Sequence, residues 1–158
     1  VLLWPWRIAL SISALMPPLS CCACSAPTAT KKEELLDDEK CGKWMHFFSD
    51  QEFAKSICEK AICEGVCYEC KCADLIARNE HSGPICFYIN GDDINAHKKV
   101  IKFMLDNNLI RKTNSGRLYD ESFKFDNQTR AGEYGSGFNA TIKLSEFLNL
   151  YTGEWICD

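Results

Sequence analysis

No block of lysine or arginine stands out in this 158-residue chain, and its formal net charge is −4. A protein that tracks a phosphate backbone concentrates cations on one face, so nucleic acid is not an expected partner. A glycine-rich phosphate loop is absent, no serine sits in a nucleophile-elbow context, and the three histidines (His46, His81 and His97) are scattered. These absences argue against an enzyme: no catalytic residue and no cofactor are expected. His46, beside Phe47-Phe48, reads as a partly buried structural histidine. The acidic pairs Asp37-Asp38 and Asp92-Asp93 read as solvated charge. Internal repeats are lacking too. The apolar stretch Ile8 to Met16 is too short, and too soon interrupted by Pro17-Pro18, to span a bilayer.

What the chain does have is cysteine. Eleven in a short chain approach the density of a disulfide scaffold, and a reducing compartment would offer them no covalent partner. The start of the chain agrees. Residues 1–26 hold one positive charge (Arg7), the apolar stretch, the two prolines and then small residues, the layout of a secretory signal peptide. Cleavage after Ala23, Cys24 or Ala26 is compatible with it. Two sequons follow, Asn127-Gln128-Thr129 and Asn139-Ala140-Thr141, so glycans are expected at Asn127 and Asn139. The expected location is secreted, or the extracellular side of the plasma membrane. Contact with a membrane is expected only through a segment not present in this chain.

Residues 27–40 are polar and charged and read as a linker. Residues 41–81 form a cysteine-rich module containing Cys41, Cys58, Cys63, Cys67, Cys70 and Cys72, expected to pair among themselves in one of fifteen ways. Inside it, Ser49-Asp50-Gln51-Glu52 is a capping-box signature opening a short helix, with Phe53, Ile57 and Ala61 as its apolar stripe. The run Cys67 to Cys72 is too dense with cysteine for regular structure to bury anything else. Zinc is the rival use of these cysteines with the histidines, but the spacing is irregular and the compartment oxidising, so disulfides are expected and no metal. From about Gly83 the texture changes to short β-like runs: ICFYI, KVIKFML, FKF, NATIKL and GEWIC.

The end of the chain, ATIKLSEFLNLYTGEWIC, carries a family resemblance. Counting back from Cys157, Trp155 lies two residues before it, Gly153 four, Leu144 thirteen and Ile142 fifteen. These offsets resemble the E strand, turn and F strand of immunoglobulin-like domains of the V or I set, found in cell-surface receptors and adhesion proteins. The resemblance covers residues 82–158. It implies a mainly β sandwich that lacks its last strand, because the sequence stops one residue after Cys157. It also implies a disulfide between Cys86 and Cys157, with Phe103 on strand C packed against it beside Ile142, Leu144 and Trp155. Phe103 stands where the family carries Trp. Tyr151 stands where it carries an acid paired with an arginine, here Arg130. A second reading of residues 95–110 is an amphipathic helix capped by Asp93 or Asn95, which would make the fold mixed α+β.

Two functions follow as expectations. The resemblance implies an extracellular module that binds a protein ligand or receptor. The cysteine content alone suits a secreted effector, such as a toxin-like protein or protease inhibitor, with residues 41–72 as its active part.

Overall fold

A computed structural model of the chain describes residues 35–133, 135 and 139–156. The signal-like stretch, most of the linker and Cys157 lie outside the described residues.

Four runs of alternating side chains build most of one antiparallel sheet. β1 (Cys41–Phe48) pairs along its whole length with β3 (Gly83–Asn90), and on its other side with β4 (Ser122–Phe125). β2 (Glu69–Cys72) pairs with β3, and the two-residue β5 (Ile142–Lys143) with β4, giving the order β2-β3-β1-β4-β5. Because side chains alternate along a strand, Ile85, Phe87 and Ile89 point to one face, and Cys86 and Tyr88 to the other. All three of the former are fully buried.

That first face is covered by two helices of 13 residues. α1 (Gln51–Cys63) is capped by Asp50, whose carboxylate accepts from the backbone N–H of Glu52 and Phe53. The capping-box text is thus used one residue later than its Ser49 suggested. Ala54, Ile57, Cys58 and Ala61 recur at three- and four-residue spacing and face the sheet. Phe53, expected in that stripe, is instead 39% exposed and lies edge-on to His46. α3 (Ile94–Asp106) is capped by Asp93, which accepts from Ala96 N–H. It buries Val100, Ile101, Phe103 and Met104. The short α2 (Leu75–Arg78) links β2 to β3, and α4 (Asp126–Arg130) follows β4 directly. No helix among the described residues is long and apolar enough to cross a membrane.

The fold is therefore a mixed α/β arrangement, one antiparallel sheet with helices packed on it, rather than mainly β. The correction turns on KVIKFML, which forms α3 and not a strand. Its apolar residues lie at positions 100, 101, 103 and 104, the helical spacing, and an aspartate stands ready as cap. Phe103 consequently packs against Phe87, ring centres 5.8 Å apart, on the helix-covered face. Cys86, one residue before Phe87, points to the opposite face, so the ring does not rest on that cysteine. Of the other expected core residues, Leu144 is buried in a 3-10 turn (Leu144–Glu146), Ile142 is half-buried in β5, and Trp155 is exposed. The cysteine-dense run does contain a strand, β2, and β1 from residues 41–81 lies between two strands from residues 82–158.

Candidate functional site

Four of the expected disulfide cysteines converge in the core. Cys58 lies on the inner stripe of α1. Cys70 and Cys72, two apart on β2, pair with Phe87 and Ile85 and so share the helix-covered face; Cys67 lies just ahead of the strand. All four are buried. α1 packs on β2 with Cys58 on its inner stripe toward the strand that carries Cys70 and Cys72. Accepting S–H bonds from Cys70 and Cys72 pulls Cys58 down to about 4 against the opposing effect of burial, and the two donors are pushed up. Gln51 fastens the end of β2: its amide donates to the Ala73 carbonyl (3.1 Å) and to Cys72 Sγ (3.7 Å), and its oxygen accepts from Leu75 N–H (2.9 Å).

No group of three or more candidate ligands among the described residues is placed to hold a metal ion.

The remaining described cysteines lie elsewhere. Cys41 and Cys86 sit on the other face of the sheet with Tyr88, where burial pushes their thiols up to about 11 and about 12. Cys41 stands opposite Asn90 and Cys86 opposite Met45, four positions along the strands and roughly 13 Å apart. That separation is too long for a bridge. Cys63 is exposed at the end of α1.

The histidines are structural where they are buried. Trp44 Nε1–H donates to His97 Nδ1 (2.9 Å), which fixes the proton on Nε2, and that donates to the Gly91 carbonyl (3.0 Å). Phe123 and Phe147 pack on the same imidazole, 4.7 and 5.3 Å away between ring centres. Burial holds His97 below its usual range, so it is a neutral core residue. His46 donates from Nδ1 to the Leu109 carbonyl (2.6 Å) and is half-buried, as its neighbours suggested. Lys43 and Lys124, buried side by side on the other face, are also satisfied: Lys43 bonds to Asp126, and Lys124 donates to the Glu133 carbonyl (2.6 Å).

Both sequon asparagines are exposed, and they lie close together. Gln128 donates from Nε2 to the Asn139 carbonyl (3.0 Å), while its backbone N–H bonds to Asn127 Oδ1 (2.7 Å). Protein secreted from eukaryotic cells is expected to lose mass on glycosidase treatment in two steps. Asn127→Gln and Asn139→Gln should each remove one of them, read by gel mobility; a secreted protein with no shift at all would contradict this.

What the surface offers for recognition lies at the end of α3. Two turns meet there. One carries Lys112 opposite Leu118; the other, Asn149 to Gly153, brings Trp155 back opposite Leu148. Leu118 N–H bonds to the Leu150 carbonyl and ties them together. Between the turns and the helix runs a groove of about 240 Å³, lined by Met104, Ile110, Leu118, Tyr151 and Gly153. Tyr151 and Lys112 belong to the lining, and residues next to lining positions in the sequence add Arg111, which is ion-paired with Glu121 (3.1 Å), Arg117 and Tyr119 as an aromatic and basic rim. Tyr151 is 78% exposed with the Arg117 guanidinium 5.6 Å from its ring centre, and Arg111 lies 4.9 Å from that of Tyr119. Trp155 and Ile156 are exposed beyond them, at 39% and 55%. Arg130, expected beside Tyr151, pairs with Asp38 instead. Tyr151, Tyr119, Arg111 and Arg117 were not expected as site residues. The available signal was an aromatic at the tip of a glycine turn, TNSGR on one side and YTGEW on the other, where small polar residues are the rule. Comparison with family models, with curated proteins and with solved structures found no match for this chain.

Proposed function

We propose that this chain is an extracellular recognition protein that binds a protein partner through the aromatic and basic rim beside the groove. The observation that carries the reading is Tyr151, a large ring left in solvent at a turn tip with an arginine held over it. Exposed Tyr, Trp and Arg clustered at a groove are the residue types that dominate binding energy at interfaces. The eleven cysteines and two exposed sequons support the extracellular location. The proposal does not rest on the immunoglobulin resemblance, although Tyr151 and Trp155 lie in the text that carries it, since the segment aligned with strand C is α3. The mixed fold favours one second reading, a secreted cysteine-rich effector that uses the same rim.

The test is saturable binding. Fluorescently labelled secreted protein, titrated over a panel of intact cells, is expected to bind one or more surfaces to saturation. Tyr151→Ala combined with Trp155→Ala should weaken that binding about tenfold or more while leaving the melting temperature unchanged. Saturable binding that the double variant retains would remove the rim from the proposal. A panel with no saturable binding would favour the effector reading, to be followed by protease-inhibition assays.

A further inference from the structure

Resting on the rim as a recognition surface, we propose that the groove at the end of α3 receives an acidic segment of the partner. One large apolar side chain enters the groove, and carboxylates beside that residue pair with Lys112 and Arg117. Size favours a side chain over a free ligand. The groove holds about 240 Å³, below the roughly 300–1,000 Å³ of sites that enclose small molecules. Its floor is apolar: Met104, Ile110 and Leu118 are all buried, and a large apolar side chain laid on them leaves water. Each of the two turns gives the lining a glycine. Gly116 and Gly153 have φ of +85° and +75°, and a Cβ at either would meet nothing within 4 Å. A partner backbone can therefore come close at both.

Charge decides what stands beside the apolar residue. Among the described residues no acid lines the groove, and Lys112 does. The cations around it divide into two kinds. Arg111 is paired with Glu121 (3.1 Å) and Lys102 with Asp106 (2.7 Å). Among the described residues, Lys112 and Arg117 have no carboxylate within ion-pair distance. Glu154, exposed after Gly153, is the single acid next to a lining residue left without a cation, so two cations stand against one acid. Arg117 is also partly arranged in advance. A guanidinium held over a ring, as Arg117 is over Tyr151, keeps its N–H edge for a planar carboxylate. A sulfated polysaccharide fits less well, because a polyanion is held by a run of cations, and this chain carries a net −4 with two unpaired cations here.

The experiment is selection of a random twelve-residue peptide library, displayed on phage, against the immobilised full chain. The expected result is enrichment, over the input library, of a large apolar residue flanked by Asp or Glu. Lys112→Glu/Arg117→Glu, taken through the same selection, should enrich Lys or Arg in the flanking positions instead. The leading acidic peptide, synthesised and titrated by fluorescence anisotropy, should bind that variant about tenfold more weakly or worse. The melting temperature should not change, since neither side chain is fully buried. Lys99→Glu/Lys143→Glu shifts the net charge as far at exposed positions outside the lining, and should bind the peptide as wild type does.

Selected peptides without acids, no enrichment at all, or equal weakening by the two charge reversals would each overturn the acidic partner. Saturable binding of a heparin fragment that Lys112→Glu/Arg117→Glu loses would assign the two cations to a polyanion instead. The cell titration separates this proposal from the reading it rests on. Cell binding lost in Tyr151→Ala/Trp155→Ala but kept in Lys112→Glu/Arg117→Glu would leave the rim as a recognition surface and reject the acidic segment. Enriched acidic peptides without any saturable cell binding would keep the chemistry of the groove and reject the cell-surface partner.

Discussion

Replacing Trp44 with alanine is expected to cost about 3–5 kcal/mol, enough to unfold a domain of ordinary stability. The indole is essentially inaccessible, lies 5.7 Å from Phe123 and 6.3 Å from Phe147 between ring centres, and supplies the donor for His97 Nδ1. Truncation therefore opens a cavity and orphans a buried acceptor together. Trp44→Phe separates the two losses: much of the volume stays, and the unsatisfied nitrogen accounts for about 1–3 kcal/mol. Urea unfolding followed by circular dichroism measures both variants. An alanine variant within about 1 kcal/mol of wild type would mean that the box around His97 is not packed as described.

The same pair sets a pH dependence. Folded His97 titrates below its unfolded value of 6.5, because burial disfavours the cation, even though Asp93 and Glu146 pull the other way. Between those two values the unfolded chain binds more protons than the folded one. Stability is thus complete above pH 6.5 and falls as the pH drops below it, by at most about 1.4 kcal/mol per pH unit from this one group. In Trp44→Phe, Nδ1 no longer accepts a bond that protonation would break, so the fall should be shallower.

Phe103→Ala is the second large effect, about 3–5 kcal/mol. Phe103 is 3% exposed, meets Phe87 edge-on, and has the Lys60 ammonium 5.8 Å from its ring centre on the outer side. Phe103→Trp decides between the helix and the strand-C placement implied by the immunoglobulin resemblance. A sandwich houses tryptophan at that position without loss. Between α3 and β3 the larger ring overfills a closed contact, at about 1–3 kcal/mol. Thermal melts of both variants give the answer, and a tryptophan variant as stable as wild type would contradict the helical packing.

How much was legible in the sequence depended on whether local text and long-range pairing agreed. α1 could be read because a cap and an apolar stripe lie within a dozen residues of each other. β3 and β4 were visible as ICFYI and FKF, although nothing local says which strands they join. α3 was ambiguous: Val100, Ile101, Phe103 and Met104 form a helical stripe, yet VIKF alone also passes for a strand. Tertiary packing against Phe87 and the Asp93 cap decided it. β1 was hidden, because CGKWMHFF opens on a cysteine and places Lys43 where a strand reader expects exposure. That lysine is buried only because Asp126, from far along the chain, neutralises it. Among the described residues, the terminal GEWI makes a single isolated bridge at Trp155, so matching offsets in the text did not amount to a strand there. In the candidate site, the cysteines were visible by type but their neighbours were not. Which thiol meets which depends on how α1 lies against β2, and no spacing rule encodes that.

The place of β1 in the sheet has a consequence for the order in which the chain can mature. Synthesis delivers β1 first, yet one neighbour arrives with β3 and the other only with β4; the Lys43–Asp126 contact spans 83 residues. A sheet whose central strand is made early and completed late folds slowly, since long loops must close before the pairing stabilises them. Until β4 emerges, β1 keeps one hydrogen-bonding edge open, and an open edge is where a growing chain pairs with a stranger.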